Sequence, residues 1–134
     1  MFAPLLYEPF QKQLQSLQAI MLVPIPLHVS RERYRGYNQA ELFAKQLAVL
    51  LNLPVRKDIL FRVEKRKPQA KLKLEKRADN IKGAFTVIEE AERGERVILV
   101  DDVVTSGATA KEAKKELEKA GYKVCAVVAI AHVR

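Results

Sequence analysis

The chain has 134 residues, of which 49% are apolar, enough for one domain with a buried core. Its formal charge of +8 is high for this length and suits a phosphate-rich partner, either a small polyphosphate or a nucleic-acid backbone. No apolar stretch is long enough to cross a bilayer and no signal-like segment opens the chain, so we expect a cytoplasmic protein without membrane insertion.

Cysteine and histidine usage restricts the metal and redox chemistry of the chain. Cys125 is the single cysteine, so it cannot form an internal disulfide, and its apolar neighbours favour a small buried side chain. His28 and His132 have no second histidine or cysteine at the spacing of metal ligands. We therefore expect no structural zinc.

The first half of the chain predicts two helices and two strands. Residues 8–19 favour a helix that Pro9 can open, and residues 20–26 favour a buried strand that its prolines end. Asn38, with Glu41 three residues later, is typical of a helix start. Apolar positions carry this helix to Asn52, and residues 55–63 predict the next strand.

The second half alternates strands with one helix. After a charged stretch, residues 84–88 predict a short strand, residues 89–95 a turn and residues 97–100 a central strand. A helix over 110–120 and a strand over 124–131 complete the chain. This alternation indicates an α/β fold with a mainly parallel sheet and helices on both faces. Ligands bind such sheets at the carboxyl ends of strands, which here are the loops after Pro26 and Val100.

Residues 97–109 are the most informative segment. An apolar strand delivers Asp101 and Asp102, and a hydroxyl-rich turn around Gly107 then leads into a helix. Backbone N–H groups of such a turn and of the helix N-terminus bind phosphate. The carboxylates would repel a bare phosphate, so they suit a ligand that presents vicinal hydroxyls or a cation before its phosphate. A ribose 5-phosphate has that order. The alternative is a turn that only caps its helix.

Two basic segments follow strands and form further candidate sites. The loop after Pro26 contains His28, Arg31, Arg33, Arg35 and Gly36, and guanidinium groups beside a glycine and a helix start suit a pyrophosphate. The stretch over residues 60–85 is also basic through the following side chains: Arg62, Lys65, Arg66, Lys67, Lys71, Lys73, Lys76 and Arg77. Ordinary solvated surface segments are the alternative for both.

Residues 97–109 resemble the signature with which type I phosphoribosyltransferases bind phosphoribosyl pyrophosphate (PRPP). The resemblance implies that Asp101 and Asp102 are the catalytic acids, serving the ribose hydroxyls directly or through Mg²⁺. It also implies that the turn holds the 5-phosphate. The PRPP-binding set is then Asp101, Asp102, Val103, Thr105, Ser106, Gly107, Ala108 and Thr109.

The remaining motifs resemble the ComF family, phosphoribosyltransferase-like proteins linked to DNA uptake. The similar blocks are Val-Pro-x-Pro with a nearby His, then Arg-Gly-aromatic-Asn-Gln-Ala, then Arg66, Gln69, Leu72, Arg77, Asn80, Gly83, Ala84 and Phe85. The resemblance implies a pyrophosphate loop with His28, Arg31, Arg35 and Gly36, and a mobile lid with Arg62, Arg66, Gln69 and Arg77. Lys67-Pro68 departs from the Thr-Pro common in the family. The four-cysteine zinc ribbon of many ComF proteins has no counterpart in this sequence.

The sequence thus predicts one phosphoribosyltransferase-like domain over 1–134, with a helical lead-in over 1–20 and a flexible basic lid over about 62–80. We expect it to bind PRPP with Mg²⁺, to transfer the phosphoribosyl group to an unknown acceptor, and to act with DNA-uptake proteins in natural transformation. Two alternatives remain open. One is a single-stranded nucleic-acid-binding module that stacks bases on Tyr34, Tyr37 and Phe61. The other is a PRPP sensor without catalysis.

Overall fold

A computed structural model describes residues 8–26, 38–63, 83–104 and 107–132. The elements in chain order are α1 (Glu8–Gln15), β1 (Met21–Pro24), α2 (Gln39–Leu51), β2 (Leu60–Arg62), β3 (Phe85–Val87), β4 (Arg96–Val104), α3 (Ala108–Lys119) and β5 (Lys123–His132). Within these described ranges, no helix has the length and apolar character needed to span a membrane.

The central sheet has three parallel strands in the order β1-β4-β5. The register places Val23 beside Leu99 and Pro24 beside Val100, so β1 and β4 end near the same edge. A separate antiparallel pair joins β2 to β3. The predicted α/β fold with a mainly parallel sheet is confirmed.

Helices cover both faces of this sheet because β4 is apolar on both sides. Val97 and Leu99 pack in one buried cluster with Leu117 of α3, together with the β2–β3 pair. Ile98 and Val100 pack in a second cluster with residues of α1 and α2. The four central β4 side chains are completely buried, as expected for a parallel strand between two layers.

Two predicted elements of the first half are shorter in the structure. α1 ends at Gln15 and not at residue 19, and Gln18 follows in a left-handed turn with φ of 60°. Residues 55–63 do not form one strand, because Val55 makes a single bridge to Leu22 and β2 begins only at Leu60. Between them Arg56 Nε donates to Asp58 Oδ1 at 2.8 Å, a local pairing that accompanies a bend in the chain.

The central strand is longer than predicted. β4 continues beyond Val100 to Val104 because β5 is ten residues long and supplies partners, with Asp101 beside Ala129. The loop expected after Val100 therefore begins four residues later, and both acids lie within the strand. A register shift after Val97 leaves Cys125 as an extra residue in β5, and its side chain is half-buried, not buried as predicted.

Candidate phosphate site

The carboxyl ends of β1 and β4 form the edge that carries the candidate site. Ile25 N–H donates to the Val100 carbonyl at 2.8 Å, which holds the end of β1 directly beside Asp101. The Asp101 side chain is only 6% exposed. A carboxylate buried to this degree is usually paired, and Asp101 does interact with another group of the chain.

The helix that follows β4 begins at a glycine. Gly107 is the N-cap of α3 with φ of 83°, and among the described residues, its chain neighbours aside, no atom lies within 4 Å of the place where its Cβ would be. The first helical bond runs from Lys111 N–H to the Gly107 carbonyl at 2.9 Å. No acidic residue occurs in the first turn of α3. The N-cap therefore lacks a side-chain hydrogen bond and the first turn lacks acidic residues, a combination that favours an anion.

The N-terminus of α2 is different, because its own side chain caps it. Asn38 Oδ1 accepts from Ala40 N–H at 2.9 Å and from Glu41 N–H at 3.4 Å. The Asn38 side-chain amide also donates to the Ile25 carbonyl at 3.3 Å. Two N–H groups of the α2 start, which was predicted to lie beside a pyrophosphate loop, are thus already bound by a side chain, whereas Gly107 makes no side-chain cap at α3.

Half of the predicted capping box is formed. Glu41 does not return to the Asn38 backbone; its Oε2 pairs with Lys45 Nζ and Lys57 Nζ, each at 3.1 Å. Burial alone would raise the pKa of Glu41, but hydrogen bonds from Lys57 and Lys45 and their charges outweigh it and lower the pKa below its ordinary value. Glu41 consequently ties α2 to the segment before β2.

Arg62 lies at the same edge as the candidate site. It is the last residue of β2, and its Nε donates to the Pro26 carbonyl at 3.1 Å. The guanidinium carbon lies 4.7 Å from the centre of the Phe85 ring, within the range of a cation–π contact. Arg62 therefore connects the β2–β3 pair to the residue at which β1 leaves the sheet.

Glu112 is a polar residue of this region that the sequence analysis missed. It lies in α3 with 6% of its surface exposed, and its Oε2 accepts from Gly83 N–H at 3.3 Å. Lys115 Nζ lies 3.7 Å from its other oxygen. The helical apolar pattern did not include position 112, so no local signal predicted its burial; the cause is the long-range approach of Gly83.

Several predicted site residues fall outside the described part of the chain: His28, Arg31, Arg35, Gly36, Arg66, Gln69, Arg77, Thr105 and Ser106. Asp102 and Val103 are placed in β4 by their backbone, and Ala108 and Thr109 open α3. The structure thus places Asp101 within β4, Gly107 at the N-cap of α3 and Arg62 at the end of β2.

The positive charge of the chain is unevenly distributed. The described ranges contain twelve Lys or Arg and twelve Asp or Glu, so they are neutral overall. Residues 27–37 and 64–82 carry +7 of the formal +8. Three described residues that flank these two segments make hydrogen bonds to other elements. Pro26 accepts from Arg62, Asn38 donates to the Ile25 carbonyl, and Gly83 donates to Glu112. The two basic segments are therefore joined to described residues that make these contacts.

Carboxylates are the protein ligands that Mg²⁺ prefers, so the adjacent Asp101 and Asp102 fit a Mg²⁺ ion that also binds oxygens of a ligand. Among the described residues, no cluster of three or more histidine, cysteine or acidic side chains is arranged to hold a metal.

Comparison with known sequences identifies the family to which the chain is similar. Residues 37–134 match the family described as phosphoribosyl transferase domain. The chain is 38% identical over 104 residues to competence protein F of Haemophilus influenzae, covering 76% of this chain and 45% of that protein. It is 37% identical over 89 residues to competence protein ComFC of Bacillus subtilis, covering 66% of this chain and 34% of that one. It is 32% identical over 100 residues to DNA utilization protein YhgH of Escherichia coli, covering 75% and 44%.

These identities confirm the resemblance to ComF proteins, although the chain spans less than half the length of these relatives. The fold is similar to that of a purine phosphoribosyltransferase from Pyrococcus horikoshii, with a TM-score of 0.57, 16% identity, and 92% of this chain and 69% of that chain covered. An orotate phosphoribosyltransferase from Aeropyrum pernix gives a TM-score of 0.51, 19% identity, and coverage of 88% and 51%. These two likenesses establish the fold of the chain.

Proposed function

Because the chain belongs to the phosphoribosyl transferase domain family, we propose that it binds PRPP with Mg²⁺ at the carboxyl ends of β1 and β4. The observation that carries this proposal is the N-terminus of α3, which starts at Gly107 without a side-chain cap, three residues after β4 ends. The 5-phosphate would bind the turn and α3 N–H groups, and the ribose hydroxyls would face Asp101 and Asp102.

The positive charge of residues 27–37 supports a binding site for the pyrophosphate group of PRPP. A pyrophosphate on the anomeric carbon would extend from the ribose toward β1, where residues 27–37 supply His28, Arg31, Arg35 and Gly36. Guanidinium groups bind phosphate oxygens in pairs, which suits a group with this charge. The basic residues Arg66 and Arg77 and the amide of Gln69 belong to the second segment, which we propose as the lid.

The chemistry of this arrangement would be phosphoribosyl transfer to an acceptor. Bound Mg²⁺ would neutralise the departing pyrophosphate. The chain itself would hold the ribose by its hydroxyls and 5-phosphate, which fixes the anomeric carbon for a transition state resembling an oxocarbenium ion. The relatives are named for competence and DNA utilization, so we extend the proposal to a role in DNA uptake.

Calorimetry with PRPP in the presence and absence of Mg²⁺ tests the proposal. We expect saturable, Mg²⁺-dependent binding that Asp101→Asn combined with Asp102→Asn reduces by roughly a hundredfold, since each lost carboxylate removes a partner of the hydroxyls or the cation. Asp58→Asn is the matched control, because Asp58 is an exposed carboxylate that pairs with Arg56 away from the edge. A wild-type protein that does not bind PRPP would refute the proposal.

A screen of bases and amines for pyrophosphate release would then separate an enzyme from a sensor. Release that depends on one acceptor would identify the substrate class. Binding without release for all acceptors would support a PRPP sensor.

The concentration of +7 in residues 27–37 and 64–82 also favours a second candidate, a single-stranded nucleic-acid-binding module. Phe61, 37% exposed beside the second segment, offers a ring on which a base can stack. This candidate predicts DNA affinity that falls steeply with salt and that PRPP does not compete for. Competition by PRPP at constant ionic strength would favour the first candidate.

A further inference from the structure

The side chain of Asn38 makes two kinds of hydrogen bond, and helix capping explains only one of them. Its Oδ1 accepts from Ala40 N–H at 2.9 Å and from Glu41 N–H at 3.4 Å, which caps α2. Its Nδ2 donates to the Ile25 carbonyl at 3.3 Å. Serine, threonine and aspartate also cap helices, but they do not carry an acceptor and an amide donor on two separate atoms. The bond to Ile25 therefore points to a second role for Asn38.

Ile25 attaches the end of β1 to β4. It lies between Pro24 and Pro26, and proline has no backbone N–H, so Ile25 is the only one of these three residues that can donate from its backbone. Its N–H donates to the Val100 carbonyl at 2.8 Å, and its side chain is buried in the core. The Val100 carbonyl belongs to the peptide group that leads into Asp101. Ile25 therefore fixes that peptide group from the β1 side.

Asp101 is held by β5 on its other side, where its backbone lies beside Ala129. Within the described part of the chain, the buried polar or charged residues are Asn38, Asp101 and Glu112. The first two of these are linked through one residue, because Ile25 accepts from Asn38 and donates to the peptide group before Asp101. A displacement of Ile25 would therefore move the backbone that carries the Asp101 carboxylate.

We infer that Asn38 is a positioning residue for Asp101, acting through Ile25. The inference rests on the proposed PRPP site, in which Asp101 and Asp102 face the ribose hydroxyls. The Asn38 amide keeps the Asp101 backbone at the position that contact with a hydroxyl, or with a cation bound to it, requires. The 5-phosphate of that site binds at Gly107 and α3 and does not depend on this link. Asn38 thus affects recognition of the hydroxyls and not of the phosphate.

The test compares ribose 5-phosphate with 2-deoxyribose 5-phosphate, by calorimetry on the full chain with Mg²⁺. We expect the wild-type protein to prefer ribose 5-phosphate by roughly tenfold or more, because the deoxy compound lacks a hydroxyl that can bond to a charged group. Asn38→Ser keeps an oxygen that caps the helix and removes the amide donor. We expect this variant to reduce the preference to about threefold or less, and to bind the deoxy compound within about twofold of wild type.

Gln11→Ala is the matched control, because the Gln11 side-chain amide also donates to a backbone carbonyl, that of Leu50, at 3.2 Å. Leu50 lies in the last turn of α2, at the opposite end of the helix from Asn38. Thermal unfolding measures the stability that each variant loses. Gln11→Ala should keep the preference for ribose 5-phosphate within about twofold of the wild-type value.

An Asn38→Ser variant that keeps the wild-type preference would overturn the inference. So would a variant that loses affinity for both sugar phosphates in the same proportion, because that indicates general damage to the fold. If Asn38→Ser does not fold, Asn38→Asp keeps the size of the side chain and an accepting oxygen, cannot donate when ionised, and should show the same selective loss.

The wild-type protein separates failure of this inference from failure of the proposed function. Equal binding of the two sugar phosphates would overturn the role of Asn38 and leave the phosphate site in place. Binding of neither compound would instead reject the proposed site, and this role with it.

Discussion

Gly107 adopts a backbone angle φ of 83°, in the left-handed region that L-amino acids with a side chain avoid. Its chain neighbours aside, no atom of the described residues lies within 4 Å of the position that its Cβ would occupy, so their packing does not explain the glycine. The positive φ of the turn is sufficient to favour glycine at this position. At the residue scale, the phosphate site that we propose would make a second demand for glycine, because a ligand phosphate could approach a backbone that carries no Cβ.

Gly107→Ala should lower the free energy of unfolding by about 1 kcal/mol because of its positive φ, and should weaken ribose 5-phosphate binding by roughly tenfold or more. Gly94→Ala is the control, because Gly94 has φ of 67° and only one atom near its virtual Cβ, the Gly121 carbonyl oxygen at 3.8 Å. Urea unfolding and calorimetry measure both effects. Similar ligand affinity in the two variants would contradict a phosphate site at Gly107.

Two helices begin at this edge of the fold, and their N-termini differ. α2 is capped by Asn38 and held by Glu41, whose carboxylate pairs with Lys45 and Lys57. α3 starts at Gly107 with no acidic residue in its first turn. At the element scale, the Asn38 side chain already binds two N–H groups at the N-terminus of α2, whereas the N-terminus of α3 remains suited to an anion.

The Glu41 pairs predict a defined pH dependence of stability. Because the folded-state pKa of Glu41 lies below its ordinary value of 4.5, its stabilising contribution is present above that value and is lost as the pH falls through the lower, folded pKa. Glu41→Gln should therefore destabilise the protein at neutral pH, with a difference from wild type that shrinks below pH 4.5. Urea unfolding across pH 3 to 7 measures it. A difference independent of pH would show that the ion pairs contribute nothing.

The whole molecule combines a neutral framework with two basic segments. Twelve cationic and twelve anionic side chains balance within the described ranges, and residues 27–37 and 64–82 carry +7. Clustered basic residues attract phosphate groups more strongly than the same charge spread evenly along a chain. The same distribution serves a small polyphosphate or a longer nucleic-acid backbone.

Two double variants, each lacking two lysines, compare the charge of the second basic segment with the charge of the described helices and strands. Lys71→Gln with Lys73→Gln removes two charges from the second segment, and Lys119→Gln with Lys123→Gln removes two from α3 and β5. We expect the first pair of substitutions to weaken single-stranded DNA binding at low salt by roughly tenfold and to make the affinity less dependent on salt. The second pair should change the DNA affinity little. Equal losses measured by fluorescence anisotropy would show that net charge alone governs binding.

Sequence patterns predicted the elements whose apolar residues follow a regular spacing within one segment. They missed the contacts that join segments far apart in the sequence. The continuous apolar run over 97–100 predicted a strand buried on both faces, and the apolar spacing in 110–120 predicted α3. The extension of β4 through Asp101 required knowledge of β5 as a partner. The burial of Glu112 and the Arg62 contact to Pro26 join residues 29 and 36 positions apart, which no periodicity encodes.

The central claim is that the phosphate of a ribose 5-phosphate binds where β4 leads into α3. A titration of ¹⁵N-labelled protein with ribose 5-phosphate, followed by NMR, tests it at individual amides. We predict saturable shifts that are largest at Gly107, Thr109 and Ala110, with Ala40 and Glu41 unchanged because their N–H groups already bind Asn38. Shifts concentrated at the start of α2, or no saturable shift in α3, would contradict the claim.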